Sequence, residues 1–393
     1  MIPSHRTSGK SKVLVIESNY ETCAAAVERV FAAFPLAIKG KNVVVKVNAL
    51  RACDPEREAI VTHPALLRAV IGKLETLSPE RIIVGDSVGT ESYGNSRHVF
   101  QTTGLAEAAG PYYRNLSLNL KKIALEKPFP REVAVLRDIL EADVYISLAK
   151  MKTHGLTMLS GAVKNNFGLL AGAQKSWYHY HSERPEIFAE ILIEMFRLRP
   201  PDLAIMDGIL AMEGYGPCSP EVRRVNRVLA AADAVALDAV LARMVGFELD
   251  EVPYLRLARE LGVGQTAFDA LMIEGDASPI EGYRRPVVAP ESTYSYLSGV
   301  GGGRTSRAFY ADRVCLRPVI SPGKCPAGCT ACADACPSGA LKPGPPPVLS
   351  PSECMLCSAC REACTHGALK LVTDQKMRRN LHNLKIMSRK RAL

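Results

Sequence analysis

Eight of the twelve cysteines fall within residues 325–364, in two sets of four. Cys325, Cys329, Cys332 and Cys336 precede Pro337. Cys354, Cys357, Cys360 and Cys364 follow with the spacing C-x2-C-x2-C-x3-C. The first set differs by one added residue, Ala327 or Gly328, between its first two cysteines. Three closely spaced thiolates can wrap three irons of a cubic [4Fe–4S] cluster on one loop, while the fourth turns to the neighbouring cluster. By that rule Cys325, Cys329, Cys332 and Cys364 hold one cluster, and Cys354, Cys357, Cys360 and Cys336 hold the other. Structural zinc also takes four thiolates, but its sites usually join two C-x-x-C knuckles across a long gap. Two crowded runs of four fit iron–sulfur chemistry better.

A second constellation is cationic. Residues 150–181 carry Lys150, Lys152, Lys164 and Lys175, three histidines, Asn165 and Asn166, with glycines interspersed. Lysine ammoniums hold carboxylates or phosphates, and glycines let a backbone approach its ligand closely. His154, His179 and His181 are candidates to donate protons near neutral pH, and the last two also to ligate a metal. Asp207 and Glu213 could serve as acid/base groups, Mg²⁺ ligands or counterions. The plainer alternative is a basic surface loop with satisfied histidines and Trp177 as packing. Cys23 reads as core. Cys53, Cys218 and Cys315 read as incidental, although Cys218 adjoins the turn at 213–217 and is a candidate reactive thiol. No Walker loop, Rossmann fingerprint, G-x-S-x-G elbow or H-E-x-x-H pair is present, so nucleotide hydrolysis, dinucleotide binding and zinc hydrolysis lack support.

These residues need a scaffold. Residues 12–17, 42–48, 81–86, 143–148 and 203–206 read as strands, several almost wholly apolar as buried parallel strands are. Residues 21–34, 64–77, 185–199, 232–245 and 254–261 have helical spacing, with Pro64 suited to a first turn. This alternation predicts an α/β domain over 11–285 with a mainly parallel sheet and flanking helices. Its strand ends carry Lys46 and Asn48, Asp86 and Ser87, Lys150 and Lys152, and Asp207, where open parallel sheets bind ligands. Residues 286–316 read as a linker, including the glycine run at 299–304. A small α+β two-cluster module follows at 317–373, then a basic tail at 374–393.

The cysteine-rich segment resembles the bacterial two-cluster ferredoxins, including Ala340-Leu341 and Ala368-Leu369 after the two sets. Residues 40–265 resemble the domain of unknown function 362 family. The carrying residues are KVN at 46–48, GDS at 85–87, KMKTH at 150–154, GAVKNNFG at 161–168, DGILAMEGYGP at 207–217 and AADAVALDAV at 231–240. The resemblance implies a two-domain layout and a shared site at these motifs. It names no activity. No residue-level match to the lactate racemase superfamily, which binds an organonickel cofactor, carries ligands across.

Composition narrows the partners. The net charge is +9, and after Asp374 there is no acidic residue while Lys376, Arg378, Arg379, Lys385, Arg389, Lys390 and Arg391 follow. The tail is a solvated segment, or a docking element for an acidic carrier or an anionic membrane surface. No aromatic residues interleave those charges, so nucleic acid is not an expected partner. No apolar run reaches the ~20 residues a membrane span needs. The polar, basic N-terminus lacks a secretory core, and a cytoplasmic location is expected. Together the features predict an iron–sulfur oxidoreductase. An electron donor of ferredoxin or flavodoxin type would supply two [4Fe–4S] clusters, which pass electrons to a small anionic substrate or a second, unnamed cofactor. Lys152, His154, Asp207 and Glu213 are the expected catalytic residues. Asn48, Asp86, Ser87, Lys150, Lys164 and Asn165 are the expected ligand-holding ones. The alternatives are a non-catalytic electron-transfer or cluster-delivery protein, and a metal- or cofactor-assisted transferase or isomerase with structural clusters.

Overall fold

The computed structural model describes residues 10–89, 92–182, 184–286 and 306–380, with backbone only at 306–309. The glycine run at 299–304 and the basic residues beyond Asn380 lie outside the described residues. So does the apolar stripe of Leu381, Leu384, Ile386 and Met387.

A mixed sheet organises the chain. Its strands are β1 (Ser11–Glu17), β2 (Asn42–Lys46), β3 (Arg81–Gly85), β6 (Val144–His154), β7 (Met158–Ser160), β8 (Leu203–Met212), β9 (Val222–Ala231) and β10 (Leu271–Gly275). The order is β10-β1-β9-β8-β6-β2-β3, with β7 a short antiparallel partner of β6. The segment β8-β6-β2-β3 is parallel throughout, as is β1-β10, while β9 runs antiparallel to both its neighbours. The expected fold, α/β with a mainly parallel sheet and flanking helices, is thus present.

Side-chain alternation assigns the two faces. Leu14, Ile16, Val43, Val45, Ile146 and Leu148 pack on one side with helices Cys23–Ala33 and Pro64–Thr76. Val13, Val15, Val44, Tyr145 and Met206 pack on the other with helices Pro185–Leu198 and Ala234–Met244. The period of two explains the split, because successive strand side chains point to opposite faces. A ribbon of β4 (Leu120–Leu125) and β5 (Arg131–Leu136) joins the second side.

Two spans differ from expectation. The strand expected to end at 148 runs on to His154, so Lys150 and Lys152 sit within β6 and not on a surface loop; both are buried. Residues 306–314 of the expected linker form a helix, Ser306–Val314, packed on the helix Gln174–His181.

The C-terminal part builds two ribbons, β11 (Leu316–Ile320) with β14 (Leu369–Thr373) and β12 (Leu341–Lys342) with β13 (Val348–Leu349). It is seated on the sheet domain. Met355, Cys357 and Ala359 are part of the second core. Glu362 accepts hydrogen bonds from Ser96 N (3.0 Å), Ser96 Oγ (2.7 Å) and Asn115 Nδ2 (2.9 Å). Gly172 adopts φ +58°, and a Cβ there would lie 2.4 Å from the Cys357 carbonyl oxygen. Only glycine meets both conditions without strain. Gly172→Ala is expected to lower stability by about 2–4 kcal/mol through left-handed backbone strain and overpacking. Denaturant unfolding measures that loss, and hydrogen exchange should show it at residues 354–364.

Candidate functional site

Four parallel strands end side by side, and each delivers a polar group to the same edge. From β2 comes Lys46, fully buried, whose Nζ lies 2.8 Å from Asp86 Oδ1 just past β3. Asp86 also accepts from Ala49 N and Ser87 N, each at 2.8 Å. Lys46 donates further to Asn165 Oδ1 (3.1 Å), which receives Asn48 Nδ2 at 3.3 Å. Asn165 Nδ2 returns a bond to Ser147 Oγ (2.9 Å). From β6, Lys152 Nζ donates to Asn48 Oδ1 (2.7 Å) and to the Ile60 carbonyl (2.8 Å).

Lys150 and Asp207 face each other across β6 and β8 in a buried pair at 2.8 Å. Asp207 also accepts from Tyr20 Oη (3.0 Å) and His63 N (2.9 Å), and Lys150 donates to Tyr20 Oη (3.0 Å). Breaking such a buried pair costs about 3–5 kcal/mol, since the remaining charge is left uncompensated. Every short contact of Lys150 and Asp207 is therefore internal. They brace the site more than they touch a ligand.

Lys164 and Lys175 complete the group. The turn Ala162–Asn165 that carries Lys164 is capped by Asp238, which accepts from Ala162 N (2.7 Å) and Val163 N (3.0 Å). A Cβ on Gly161 would lie 2.2–2.4 Å from that carboxylate. Burial pushes Asp238 up to about 7 despite those bonds. Lys175 Nζ donates to Ser87 O, Ser87 Oγ and Leu170 O at 2.8, 2.8 and 3.0 Å.

Five ammoniums thus share two carboxylates, Asp86 and Asp207. Burial, the dominant cause, pushes Lys152 down to about 8, and Lys164 and Lys175 down to about 7; the ammonium of Lys152 adds repulsion on Lys164. Lys164 is part-exposed and has no hydrogen-bond or ion-pair partner among the described contacts. Arg51 hydrogen-bonds Cys218, and a negative charge on that sulfur would favour the charged forms of Lys152 and Lys164.

The expected histidine roles change. His154 is buried and its Nδ1 accepts Leu156 N at 3.1 Å, while burial and then Lys164 drive its pKa well below the ordinary value. His179 Nδ1 bonds the Lys175 carbonyl at 2.7 Å, and burial lowers it to about 3. Both rings are neutral at pH 7, so neither is an imidazolium donor there. His179 and His181 stand two apart on one helix, which turns them to different sides: His179 stacks on Tyr310 and His181 on Trp177. They do not form a metal pair. Glu213 is bound by Arg223 Nε (2.8 Å) and Arg284 N (3.1 Å), and no described contact joins it to the lysines. Lys46, Lys175, Tyr20 and Arg51 belong to the site although they are not among the expected catalytic or ligand-holding residues. Lys46 and Lys175 had a visible signal in their places at a strand end and in the glycine-interrupted run. Tyr20 and Arg51 had none.

The cysteines lie in two neighbourhoods. The Cys332 thiol is pushed up by burial and by Cys364, Cys325 and Cys329. The Cys360 thiol is raised by burial and by Cys357, Cys354 and Cys336, with Cys332 behind. A cavity is walled by Cys336, Cys354, Cys357 and Cys360 together with Leu341, Leu349 and Leu371. Among the described residues, no three His, Cys, Asp or Glu side chains converge to enclose a single metal ion. A four-iron cube spreads its thiolates wider than one ion does, and the four-cysteine cavity with its apolar rim fits such a group.

The lysine values fix a pH dependence. Folded Lys164 and Lys175 release their protons near pH 7, whereas the unfolded chain holds them to about pH 10. The unfolded chain therefore binds more protons in that window, so anion-free stability rises with pH from about 7 to about 10. Sulfate, which favours the ammonium forms, should bind about tenfold or more tighter at about pH 6 than at about pH 9, with net proton uptake. Calorimetry in buffers of different ionisation enthalpy reads both quantities. A pH-independent affinity would contradict the assignment.

Comparison with known proteins follows this geometry. A thylakoid-associated protein of Synechocystis sp. is 30% identical over 240 residues, covering 58% of this chain and 70% of that protein. A crystal structure of a Thermotoga maritima protein aligns with TM-score 0.37 and 12% identity, over 62% of this chain and 60% of that one. The lactate racemase apoprotein of Thermoanaerobacterium thermosaccharolyticum aligns with TM-score 0.39 and 13% identity, over 64% of this chain and 59% of that one. The chain thus spans about three-fifths of those two structures. Among the described residues no helix is long and apolar enough to cross a membrane. The domain of unknown function 362 family matches residues 43–243, a span that includes Lys46, Asp86, Lys152, Lys164, Asp207 and Asp238, and the chain belongs to that family.

Proposed function

We propose that this chain is an iron–sulfur reductase whose lysine site holds a small anion, or an anionic second cofactor, for reduction. The ferredoxin-like module at 317–373 is part of that reading. So are its two ligand sets, Cys325, Cys329, Cys332 and Cys364, and Cys336, Cys354, Cys357 and Cys360. Clusters of this kind, when bound, supply single electrons at low potential.

The carrying observation is the continuity between the cysteine-walled cavity and the lysines. Ala173 lines that cavity, and a Cβ on the preceding Gly172 would meet the Cys357 carbonyl and Ser358 Oγ. Gly172 N donates to Ser87 Oγ (3.2 Å), which also takes Lys175 Nζ (2.8 Å). Asp86, next in sequence, pairs with Lys46, and Lys46 leads through Asn165 and Asn48 to Lys152. A packing contact at Cys357 followed by hydrogen bonds from Gly172 onward therefore leads from a cysteine loop to the lysines.

The chain's own residues divide the remaining work. Lys152, with one N–H beyond its two bonds, and Lys164, with all three, hold the anion through charge-assisted hydrogen bonds. Lys164 Nζ, poised near pH 7, carries the proton that accompanies reduction, and takes the place first expected of His154 or Glu213. Asp238 positions that lysine by capping its turn. Lys150 and Asp207 keep β6 and β8 in register beside it.

The test is reoxidation of the anaerobically reduced protein by small carboxylic acids and phosphate esters, followed by visible absorbance. Lys164→Gln should slow the reoxidation by about 100-fold, the scale of a lost general acid, with iron content unchanged. Wild-type protein that no such anion reoxidises, or a Lys164→Gln protein as fast as wild type, would refute the reading.

A further inference from the structure

Resting on the iron–sulfur reading above, we propose that the outer face of the β11–β14 ribbon is the docking surface for an acidic electron-carrying protein. The antiparallel register sets Arg317 opposite Val372 and Val319 opposite Lys370. Directly opposed residues share one face of a ribbon. On that face Val319 is 51% and Val372 47% exposed, Lys370 is exposed and Arg317 is part-buried.

The other face looks inward. Leu316, Pro318 and Leu371 line the cavity walled by Cys336, Cys354, Cys357 and Cys360. One layer of backbone therefore separates that cavity from the exposed Val–Lys face. A partner sheet stacked there would stand about 10 Å from the ribbon, the ordinary spacing of packed sheets.

The chemistry of the face selects the partner. Two exposed valines form an apolar centre, and two cations flank it with no acidic residue on either strand. Among the described residues Arg317 bonds the carbonyls of Val314 and Leu316 and the Met377 sulfur, and no carboxylate there pairs with it. Past β14 the described chain adds Lys376 and Arg379 to the same end. An apolar centre with a cationic rim suits an acidic surface, which the field steers and orients. The small area suits a short-lived electron-transfer encounter.

The test uses purified flavodoxin, a small acidic electron carrier, titrated calorimetrically into the full anaerobically prepared chain. Wild type should bind it at low salt and lose affinity as salt rises. The double variant Arg317→Glu/Lys370→Glu should bind about tenfold or more weakly, the effect expected of reversing rim charges. Lys39→Glu, an exposed lysine on the sheet domain, should change nothing. Iron-loaded wild type that fails to bind, or a double variant that binds as wild type does, overturns the docking surface. Iron and sulfide counted on the same samples keep the two readings apart: a chain that binds through the ribbon but holds no iron refutes the cluster reading alone.

Discussion

Burial of lysine ammoniums is the constraint on which this structure depends. A charge moved out of water must find an opposite charge or give up its proton. Two of the five lysines of the site meet carboxylates, Lys46 with Asp86 and Lys150 with Asp207. Lys152 and Lys175 are met by neutral oxygens alone. Lys164 meets none. Burial is the main cause of the depressed lysine values, and repulsion among the lysines adds to it. Burial likewise keeps His154 and His179 neutral, and the charge of Lys164 adds to it.

The fold serves that constraint through the strand order. Placing β8, β6, β2 and β3 in parallel brings their carboxyl ends to one edge, where side chains up to 187 residues apart in sequence meet, as Tyr20 and Asp207 do. The bulge between Lys150 and Lys152 lets one lysine pair with Asp207 and the other reach Asn48. Asp238, remote from the edge in sequence, fixes the turn that carries Lys164. The C-terminal module closes the arrangement from the side, held by Gly172 and by Glu362.

Much of this was legible in the residues alone. The runs KVLVIE, NVVVK and RIIVG are apolar enough to be buried strands in any context, and the strand-end rule then points to Lys46, Asp86 and Lys152. The continuation of β6 was not legible, because Lys150 and Lys152 look solvent-facing until Asp207 and Asn48 arrive from elsewhere in the chain. β9 begins with VRRVNR, exposed and basic, and its antiparallel insertion is a tertiary choice that the local pattern does not encode. The surroundings of His154 and Glu213 were not legible for a similar reason. Sequence gives a residue's chemistry, whereas burial decides its protonation and a distant arginine decides whether a carboxylate is free.

The most direct test is electron paramagnetic resonance of the anaerobically prepared, reduced chain, recorded with and without sulfate. Two iron–sulfur signals are predicted, one altered by sulfate through the Gly172–Ser87–Lys175 contact and the other unchanged. Protein without iron–sulfur signals, or signals indifferent to sulfate that calorimetry shows to be bound, would contradict the coupling of cysteine module and lysine site.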